Sequence, residues 1–204
     1  MNTRGKILDK ALEMFNERGI EYVGLRELAA ALNIRVGNIT YYFPTKDDLV
    51  YELSLELRKC NSEIIVAHGN LTMKAFLEML HQVFQNHIRF KCLLLSFVHL
   101  MEQNKRMAAT YKETQDQRNA VIASNLEVLA ASGYLKVQDE ADMLFLVSAL
   151  SLINRFWISE AAVSFRQWSP EAQVQHYLSL IGKLLQPYAT PKAQKEMQEF
   201  FETL

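Results

Sequence analysis

Residues that break helices are scarce in this chain, and their scarcity constrains the fold more than any other feature. Among 204 residues there are only seven glycines and four prolines. Several of them stand where an apolar pattern of helical spacing stops, as Gly19 does after Ile7, Leu8, Ala11, Leu12 and Phe15. No alternating strand pattern and no Asn-Gly hairpin signal occurs. The sequence therefore predicts an all-α fold.

The predicted helix boundaries divide the chain unevenly. Residues 1–45 are predicted to hold three short helices joined by tight turns, and residues 46–204 about six longer ones. A second and a third helix that cross through a short turn are typical of a helix-turn-helix module. We therefore predict a three-helix helix-turn-helix domain over residues 1–45 and a C-terminal helical bundle over residues 46–204.

Capping residues mark the starts and ends of the longer helices. Thr45 and Asp48 have the spacing of a capping box, and Pro170 and Pro191 each follow a serine or threonine at a predicted helix start. A helix is predicted to run from Lys46 to about Val66 and to stop at His68-Gly69-Asn70. Further boundaries are predicted at Thr72, Gly133 and Asp139.

Composition limits the cellular setting. A formal net charge of −1 gives no strong polyelectrolyte field and leaves local charge as the electrostatic means of binding nucleic acid. Cys60 and Cys92 lack metal-site spacing and suit a reducing cytoplasm as buried thiols. The first residues lack a signal-peptide pattern, and the longest apolar run, residues 92–98, is too short to span a bilayer. We predict a cytoplasmic protein with no membrane partner.

An exposed polar edge is predicted on the third helix. The inward positions are apolar: Leu25, Leu28, Ala29, Leu32, Ile34, Ile39 and Phe43. Arginine and asparagine hydrogen-bond base edges, tyrosine hydroxyls donate to phosphates, and a glycine leaves room for close approach. A solvated surface helix with chance tyrosines is the plainer alternative. The predicted DNA-binding residues are Arg26, Arg35, Val36, Gly37, Asn38, Thr40, Tyr41, Tyr42 and Lys46.

The first fifty residues resemble the DNA-binding domain of the tetracycline-repressor (TetR) family of bacterial regulators. The resemblance covers RGKILDKALEMFNERGI, LRELAAALNI and GNITYYFPTKDDL. Gly37, Tyr42, Phe43, Lys46 and Leu49 fit the family pattern, and Gly-Asn followed by YYF is most similar to the branch with a GN-[LI]-x-Y-[HY]-F motif. The chain departs from the pattern at two positions, because Thr40 replaces a common aromatic residue and Gly24 a common capping residue.

This resemblance implies a bacterial transcriptional regulator with two functional domains. The N-terminal domain would bind a double-stranded, palindromic DNA operator as part of a homodimer. The C-terminal domain would bind an unknown small-molecule effector and dimerise. Most relatives repress transcription, so a repressor is expected, with no enzymatic activity, cofactor or metal.

A homodimer interface is predicted on the two most apolar helices. Residues 142–165 are apolar almost all the way round, which indicates packing partners on several sides. A monomeric bundle in which both helices are merely central is the alternative. The predicted interface residues are Leu146, Leu150, Ile153, Trp157, Val174, Leu178, Ile181 and Leu185.

An effector pocket is predicted from aromatic and polar residues in the C-terminal part. Such side chains line apolar ligand cavities, although ordinary core packing also accounts for them. An arginine in an apolar helix pairs either with an effector anion or with a protein carboxylate. The predicted pocket residues are Phe84, His87, Phe97, His99, Met101, Asn154 and Arg155.

Two other classes of function are alternatives for this sequence. Glu78 and His81 have the Glu-x-x-His spacing of di-iron helical bundles, but that chemistry needs a second such motif, which the sequence lacks. A helical protein-interaction adaptor without DNA binding would leave the surface from Arg35 to Lys46 unexplained. Iron analysis would test the first class, and a DNA mobility shift the second.

Overall fold

The predicted all-α fold is confirmed in a computed structural model that describes residues 3–64 and 71–204. Within these residues the only β pairing is an isolated antiparallel bridge between Leu135 and Ala189. The helices are α1 (Thr3–Arg18), α2 (Leu25–Ala31), α3 (Val36–Tyr42), α4 (Lys46–Ile64), α5 (Met73–Arg89), α6 (Lys91–Leu95), α7 (Phe97–Gln103), α8 (Lys105–Ala131), α9 (Glu140–Ser164), α10 (Pro170–Leu185) and α11 (Pro191–Thr203).

The predicted capping residues are confirmed wherever the structure describes them. The backbone N–H of Asp48 donates to Thr45 Oγ1 at 3.1 Å, and the N–H of Thr45 donates to Asp48 Oδ2 at 3.2 Å. Side chains of Thr72, Asp139, Ser169 and Thr190 accept from the first turns of their helices. Gly19 and Gly133 have φ angles of 92° and 74°, the left-handed conformation of a helix stop. The predicted stop at His68-Gly69-Asn70 lies outside the described residues.

The chain forms two compact units, and their limits differ from the predicted domain limits. The first unit consists of Met1–Cys60 and Arg89–Tyr111, and the second of Asn61–Ile88 and Lys112–Leu204. Residues 46–60 and 89–111 therefore pack with α1, α2 and α3 instead of belonging to the second unit. This partition concerns packing alone, and the functional boundary at residue 45 stays a prediction.

The first unit has one apolar core to which every one of its helices contributes. Buried residues of α1, α2, α3 and α4 meet Phe90, Cys92, Leu93 and Leu100 from the 89–111 segment. Of the two predicted buried thiols, Cys92 is buried and Cys60 is half-buried, and burial raises the pKa of the Cys92 thiol to about 12. Asn16 of α1 joins the two parts of the unit, because its amide donates to Arg89 O and accepts from Cys92 N.

The second unit is built around α9 and α10. At Gly182 of α10 a Cβ atom would stand 2.7 Å from the Phe201 ring of α11, so any larger residue would displace that ring. Glu196 of α11 accepts from Lys74 N at 3.0 Å and from Tyr134 Oη at 3.0 Å. These contacts tie the last helix to both α5 and the turn after α8.

The predicted dimer residues are corrected by their burial. Seven of the eight are buried within one chain, and Ile153 is half-buried. A side chain inside the core of one subunit is unavailable to a second, so these residues form the core of the second unit. The buried seven are Leu146, Leu150, Trp157, Val174, Leu178, Ile181 and Leu185.

Helix α9 is also long and apolar enough to cross a membrane by length and composition. It is not one uninterrupted apolar run, because Ser148, Ser151 and Asn154 lie within it, so no uninterrupted apolar run of that length occurs in it. Core helices of water-soluble bundles have the same composition, and Leu146, Leu150 and Trp157 of α9 are buried against protein.

Candidate nucleic-acid interface

A left-handed asparagine makes the turn between α2 and α3. Asn33 has a φ angle of 53°, a conformation that asparagine tolerates better than most residues. Its N–H donates to Ala30 O at 3.0 Å, and the N–H of Ile34 donates to Ala29 O at 3.0 Å. These two hydrogen bonds end α2 and position the residues that lead into α3.

Two buried side chains fix the orientation of α3. Ile39 and Phe43 lie on the inner face of the helix and are almost fully buried in the core of the first unit. The guanidinium of Arg4, which also pairs with Glu52, lies 5.3 Å from the centre of the Phe43 ring. Because α3 is anchored at its middle by Ile39 and at its C-terminal end by Phe43, its outer face presents a fixed set of side chains.

The predicted DNA-binding residues have the predicted exposure. All are exposed except Lys46, which is half-buried, and we call this surface the recognition edge: Arg26, Arg35, Val36, Gly37, Asn38, Thr40, Tyr41, Tyr42 and Lys46. Tyr41 is 81% exposed, and its ring meets that of Tyr42 edge to face, with centroids 5.0 Å apart. All nine residues belong to the first unit.

Gly37 has no structural role within the chain. A Cβ atom built on it would meet nothing within 4 Å, so no neighbour requires a glycine. Glycine costs about 1 kcal/mol of helix stability relative to alanine. The missing side chain therefore leaves an open gap on the outer face of α3.

Lys46 is held at the end of the recognition edge by the turn before α2. Its ammonium donates to the backbone oxygen of Glu21 at 3.3 Å. Burial lowers the pKa of Lys46, and the nearby charges of Glu21 and Asp47 oppose that shift. Burial would raise the pKa of Glu21, but hydrogen bonds from its own backbone and from Ser96 outweigh it and keep that pKa low.

The carboxylate that follows Lys46 is neutralised by protein groups. Asp48 accepts from the Thr45 hydroxyl at 2.8 Å and from Arg106 Nη1 at 3.0 Å. The Thr45 hydrogen bond is the main cause of the lowered pKa of Asp48, and the Arg106 charge adds to it. Asp48 therefore opposes an anion near Lys46 less than an unpaired carboxylate would.

Sequence reasoning missed the residues of the 89–111 segment that hold the Lys46 end of the recognition edge in place. Asn104 is buried, donates to Asp47 O at 2.9 Å and accepts from Met107 N at 3.1 Å. The sequence signal was available, because asparagine before a helical stretch is a preferred N-cap. Its partner Asp47 is distant in sequence and leaves no local pattern.

The predicted effector residues fall in different units. Phe97, His99 and Met101 belong to the first unit, whereas Phe84, His87, Asn154 and Arg155 belong to the second. In the second unit, Asn154 Nδ2 donates to Leu150 O at 2.9 Å, four residues earlier in the same helix. The seven residues therefore do not form one pocket within either unit.

Phe84 and His87 do come together, in a buried aromatic cluster with Trp157. The Phe84 and Trp157 rings are stacked with centroids 4.6 Å apart, and Trp157 Nε1 donates to His87 Nδ1 at 3.0 Å. Burial lowers the pKa of His87 to about 3, so the ring is neutral at physiological pH.

The cluster continues through Tyr177 toward the surface. Its ring lies 5.4 Å from that of Trp157, and its buried hydroxyl has no hydrogen-bond partner among the described residues. A shallow surface depression of about 440 Å³ lies on the same helix and is lined by Trp168, Ala172, Gln175, His176 and Ser179. None of the predicted effector residues lines it.

The possible metal motif of the enzyme alternative has another environment. His81 Nε2 lies 3.0 Å from the side-chain nitrogen of Gln85, one turn later in α5. In residues 3–64 and 71–204, no three histidine, cysteine or carboxylate side chains are grouped as metal ligands.

Comparison with solved structures finds the same fold in bacterial regulators. A TetR-family transcriptional regulator from Marinobacter aquaeolei VT8 superposes with a TM-score of 0.90 at 24% identity and covers 100% of this chain and 98% of its own. A transcriptional regulator from Saccharomonospora viridis, in complex with choline, gives a TM-score of 0.69 at 19% identity, over 88% of this chain and 95% of its own.

Sequence comparison assigns the family. A probable HTH-type transcriptional regulator of Bacillus subtilis, YttP, is 30% identical over 84 residues, which span 41% of each chain. The family model described as bacterial regulatory proteins, tetR family, matches residues 7–53, and the model described as bacterial transcriptional repressor matches residues 58–197. The second match covers more than half of the chain, so the chain belongs to the TetR family of non-enzymatic, DNA-binding transcriptional regulators.

Proposed function

We propose that the protein is a cytoplasmic repressor that binds a palindromic operator as a homodimer and is modulated by a small-molecule effector. Family membership supports the regulatory role. The observation that carries DNA binding is the recognition edge, where exposed polar side chains and an open gap at Gly37 lie on a helix anchored by Ile39 and Phe43.

Selection of binding sites from random double-stranded DNA tests this proposal directly. A helix-turn-helix dimer recognises two half-sites related by its own two-fold axis. We therefore expect the purified protein to enrich a palindrome. Recovery of no common sequence, with binding that is equal for all DNA, would contradict operator recognition.

Base-contacting and phosphate-contacting residues of the recognition edge are expected to separate in a mutant series. Arg35→Ala and Asn38→Ala should relax sequence preference by about 1–3 kcal/mol for a good base contact. Lys46→Ala and Tyr42→Phe should weaken binding similarly for all sequences, because phosphates carry no direct sequence information. Mobility shifts on the selected operator and on a scrambled duplex measure both effects. Equal affinity of the four variants and the wild type would rule out this surface.

Gly37→Ala is expected to stabilise the protein and weaken operator binding. The new methyl group meets no neighbour in the chain and removes the helix cost of glycine, so the free energy of unfolding should rise by up to about 1 kcal/mol. The same methyl group fills the gap through which the backbone of α3 would approach DNA. Urea unfolding and operator titration measure the two changes. Unchanged operator affinity would show that the gap is not used.

An exposed apolar stripe on α9 supports the homodimer. Phe145, Leu152 and Val163 are seven and eleven residues apart, close to two and three helical turns, and all three are exposed. Leu144 of α9 and Leu180 of α10 are exposed large apolar residues as well. Apolar patches on the surface of a regulator mark interaction sites, and we place the subunit interface here instead of on the buried face.

The buried aromatic cluster of the second unit is our candidate for the effector site. Phe84 and Trp157 supply an apolar environment, and the unpartnered hydroxyl of Tyr177 offers a polar group that a ligand can satisfy. The choline complex of the Saccharomonospora viridis regulator supports a small-molecule ligand for this fold. Quenching of tryptophan fluorescence during titration with a metabolite panel that includes choline tests the candidate.

Tyr177→Phe is expected to stabilise the ligand-free protein. An unsatisfied buried hydroxyl carries a desolvation cost of about 1–3 kcal/mol, which the substitution removes. Tyr134→Phe is the matched control, because Tyr134 is as deeply buried but its hydroxyl bonds to Glu196 at 3.0 Å. That control should lose stability by about 0.5–1.5 kcal/mol. Urea unfolding distinguishes the two, and a loss of stability in both would mean that the Tyr177 hydroxyl is satisfied.

A further inference from the structure

One buried amide joins the start of α8 to the first turn of α4. Asn104 is 2% exposed, and its side-chain oxygen accepts from Met107 N at 3.1 Å, which caps α8. Its side-chain nitrogen donates to Asp47 O at 2.9 Å. Both halves of the amide are therefore satisfied by backbone groups of different helices, which fixes its position.

Arg106 adds two contacts to the first two turns of α4. Its guanidinium donates to Asp48 Oδ1 at 3.0 Å and lies 4.0 Å from the centre of the Tyr51 ring. Asp48 in turn forms the capping box with Thr45. The start of α8 thus holds the first turn of α4 by a backbone oxygen and a carboxylate, and the next turn by an aromatic ring.

Lys46 lies within this held turn. Its ammonium contacts Glu21 O at 3.3 Å, and the Glu21 carboxylate is bonded by Ser96, at the junction of α6 and α7. Residues of the 96–106 segment therefore contact both Glu21, which accepts from Lys46, and the turn of α4 to which Lys46 belongs. None of these supporting residues belongs to the recognition edge.

We propose that Asn104 is a positioning residue for operator binding, which sets the phosphate contact of Lys46 through its bond to Asp47 O. This inference rests on the proposed DNA-binding function. A charge-assisted hydrogen bond to phosphate needs a donor–acceptor distance near 2.7–2.9 Å, so a small displacement of the first turn of α4 weakens it. Asn104 itself touches no DNA in this mechanism.

Asn104→Asp separates the link to α4 from the cap of α8. The carboxylate still accepts from Met107 N, but the donor to Asp47 O is lost. Asn16→Asp is a chemically matched control, because Asn16 accepts from Cys92 N at 3.0 Å and donates to Arg89 O at 2.7 Å. Each substitution keeps one acceptor, removes one donor and adds one negative charge in the first unit. Asn104→Ser introduces a neutral residue that also caps helices, and this variant replaces the aspartate variant in the test if the latter does not fold.

Salt dependence of operator binding is the measurement that a merely structural role would not change. Each lost phosphate contact lowers the slope of log affinity against log salt by about one. We expect Lys46→Ala, Asn104→Asp and Asn104→Ser each to lower that slope by about one. Each should weaken binding on the order of tenfold, as for loss of a hydrogen bond to a charged group.

A double-mutant cycle then assigns the effect to Lys46. Asn104→Asp combined with Lys46→Ala should bind as weakly as Lys46→Ala alone, because both remove one contact. Asn16→Asp should keep the wild-type slope, and its effect should add to that of Lys46→Ala. Wild-type salt slopes in both folded Asn104 variants, or additive losses in the Asn104–Lys46 cycle, would overturn the positioning role. If the wild type itself enriches no operator, the proposed function fails first and this inference falls with it.

Discussion

Leu152→Glu is expected to yield a folded monomer, whereas the same change two residues earlier, Leu150→Glu, is expected to unfold the protein. Leu152 is 59% exposed on the apolar stripe of α9, and Leu150 is 1% exposed in the core of the second unit. A carboxylate at position 150 would be an unpaired buried charge, which would lower the free energy of unfolding by roughly 3–5 kcal/mol. At Leu152 the carboxylate stays in water until two subunits meet.

Operator binding should fall sharply in the Leu152 variant although its fold is intact. A dimer holds two half-sites at once, and the loss of the second site typically costs about 10²–10⁴ in apparent affinity. Ser164→Glu, an exposed position on α9 outside the stripe, controls for added charge. Analytical ultracentrifugation gives the oligomeric state, and circular dichroism gives the helical content. A Leu152→Glu protein that remains a dimer would place the interface elsewhere.

This pair of residues also shows what the sequence determines about α9 and what it leaves open. The helix and its capping residue Asp139 were predictable from local pattern, and the structure confirms both. Which face of α9 packs in the core was not predictable, because apolar residues surround the helix and no polar stripe distinguishes a core face from an interface. The sequence-based prediction accordingly chose Leu146, Leu150 and Trp157, which pack within the chain.

The recognition edge was more predictable because its determinants are local. The turn at Asn33, the buried positions Ile39 and Phe43, and the capping box at Thr45 all follow from spacing within about twenty residues. The support of that surface by Asn104 depends on the 89–111 segment joining the first unit. Such a pairing of distant segments leaves no periodic signal, and the division of the predicted effector residues between two units was not predictable either.

Stability is expected to depend on pH through His87. Burial lowers the pKa of His87 from 6.5 to about 3, and the charge of Arg118 adds to this shift. Between these two pKa values the unfolded chain binds one more proton at this residue than the folded chain does. Stability from His87 is therefore fully present above about pH 6.5 and is lost progressively as the pH falls toward 3, by roughly 5 kcal/mol in total.

His87→Asn should remove this dependence. The Nδ1 atom of His87 accepts from Trp157 Nε1 at 3.0 Å, so a proton on Nδ1 would set two N–H groups against each other. An asparagine oxygen can accept the same bond without titrating, although its smaller volume lowers stability at neutral pH. Urea unfolding from pH 7 to pH 4 should show the wild type losing several kcal/mol more than the variant, since carboxylates contribute equally to both.

His81→Asn, in the same unit but outside the aromatic cluster, should keep the wild-type pH dependence. Parallel curves for the wild type and His87→Asn would mean that His87 is protonated in the folded protein or solvated there, and that the cluster is open to water.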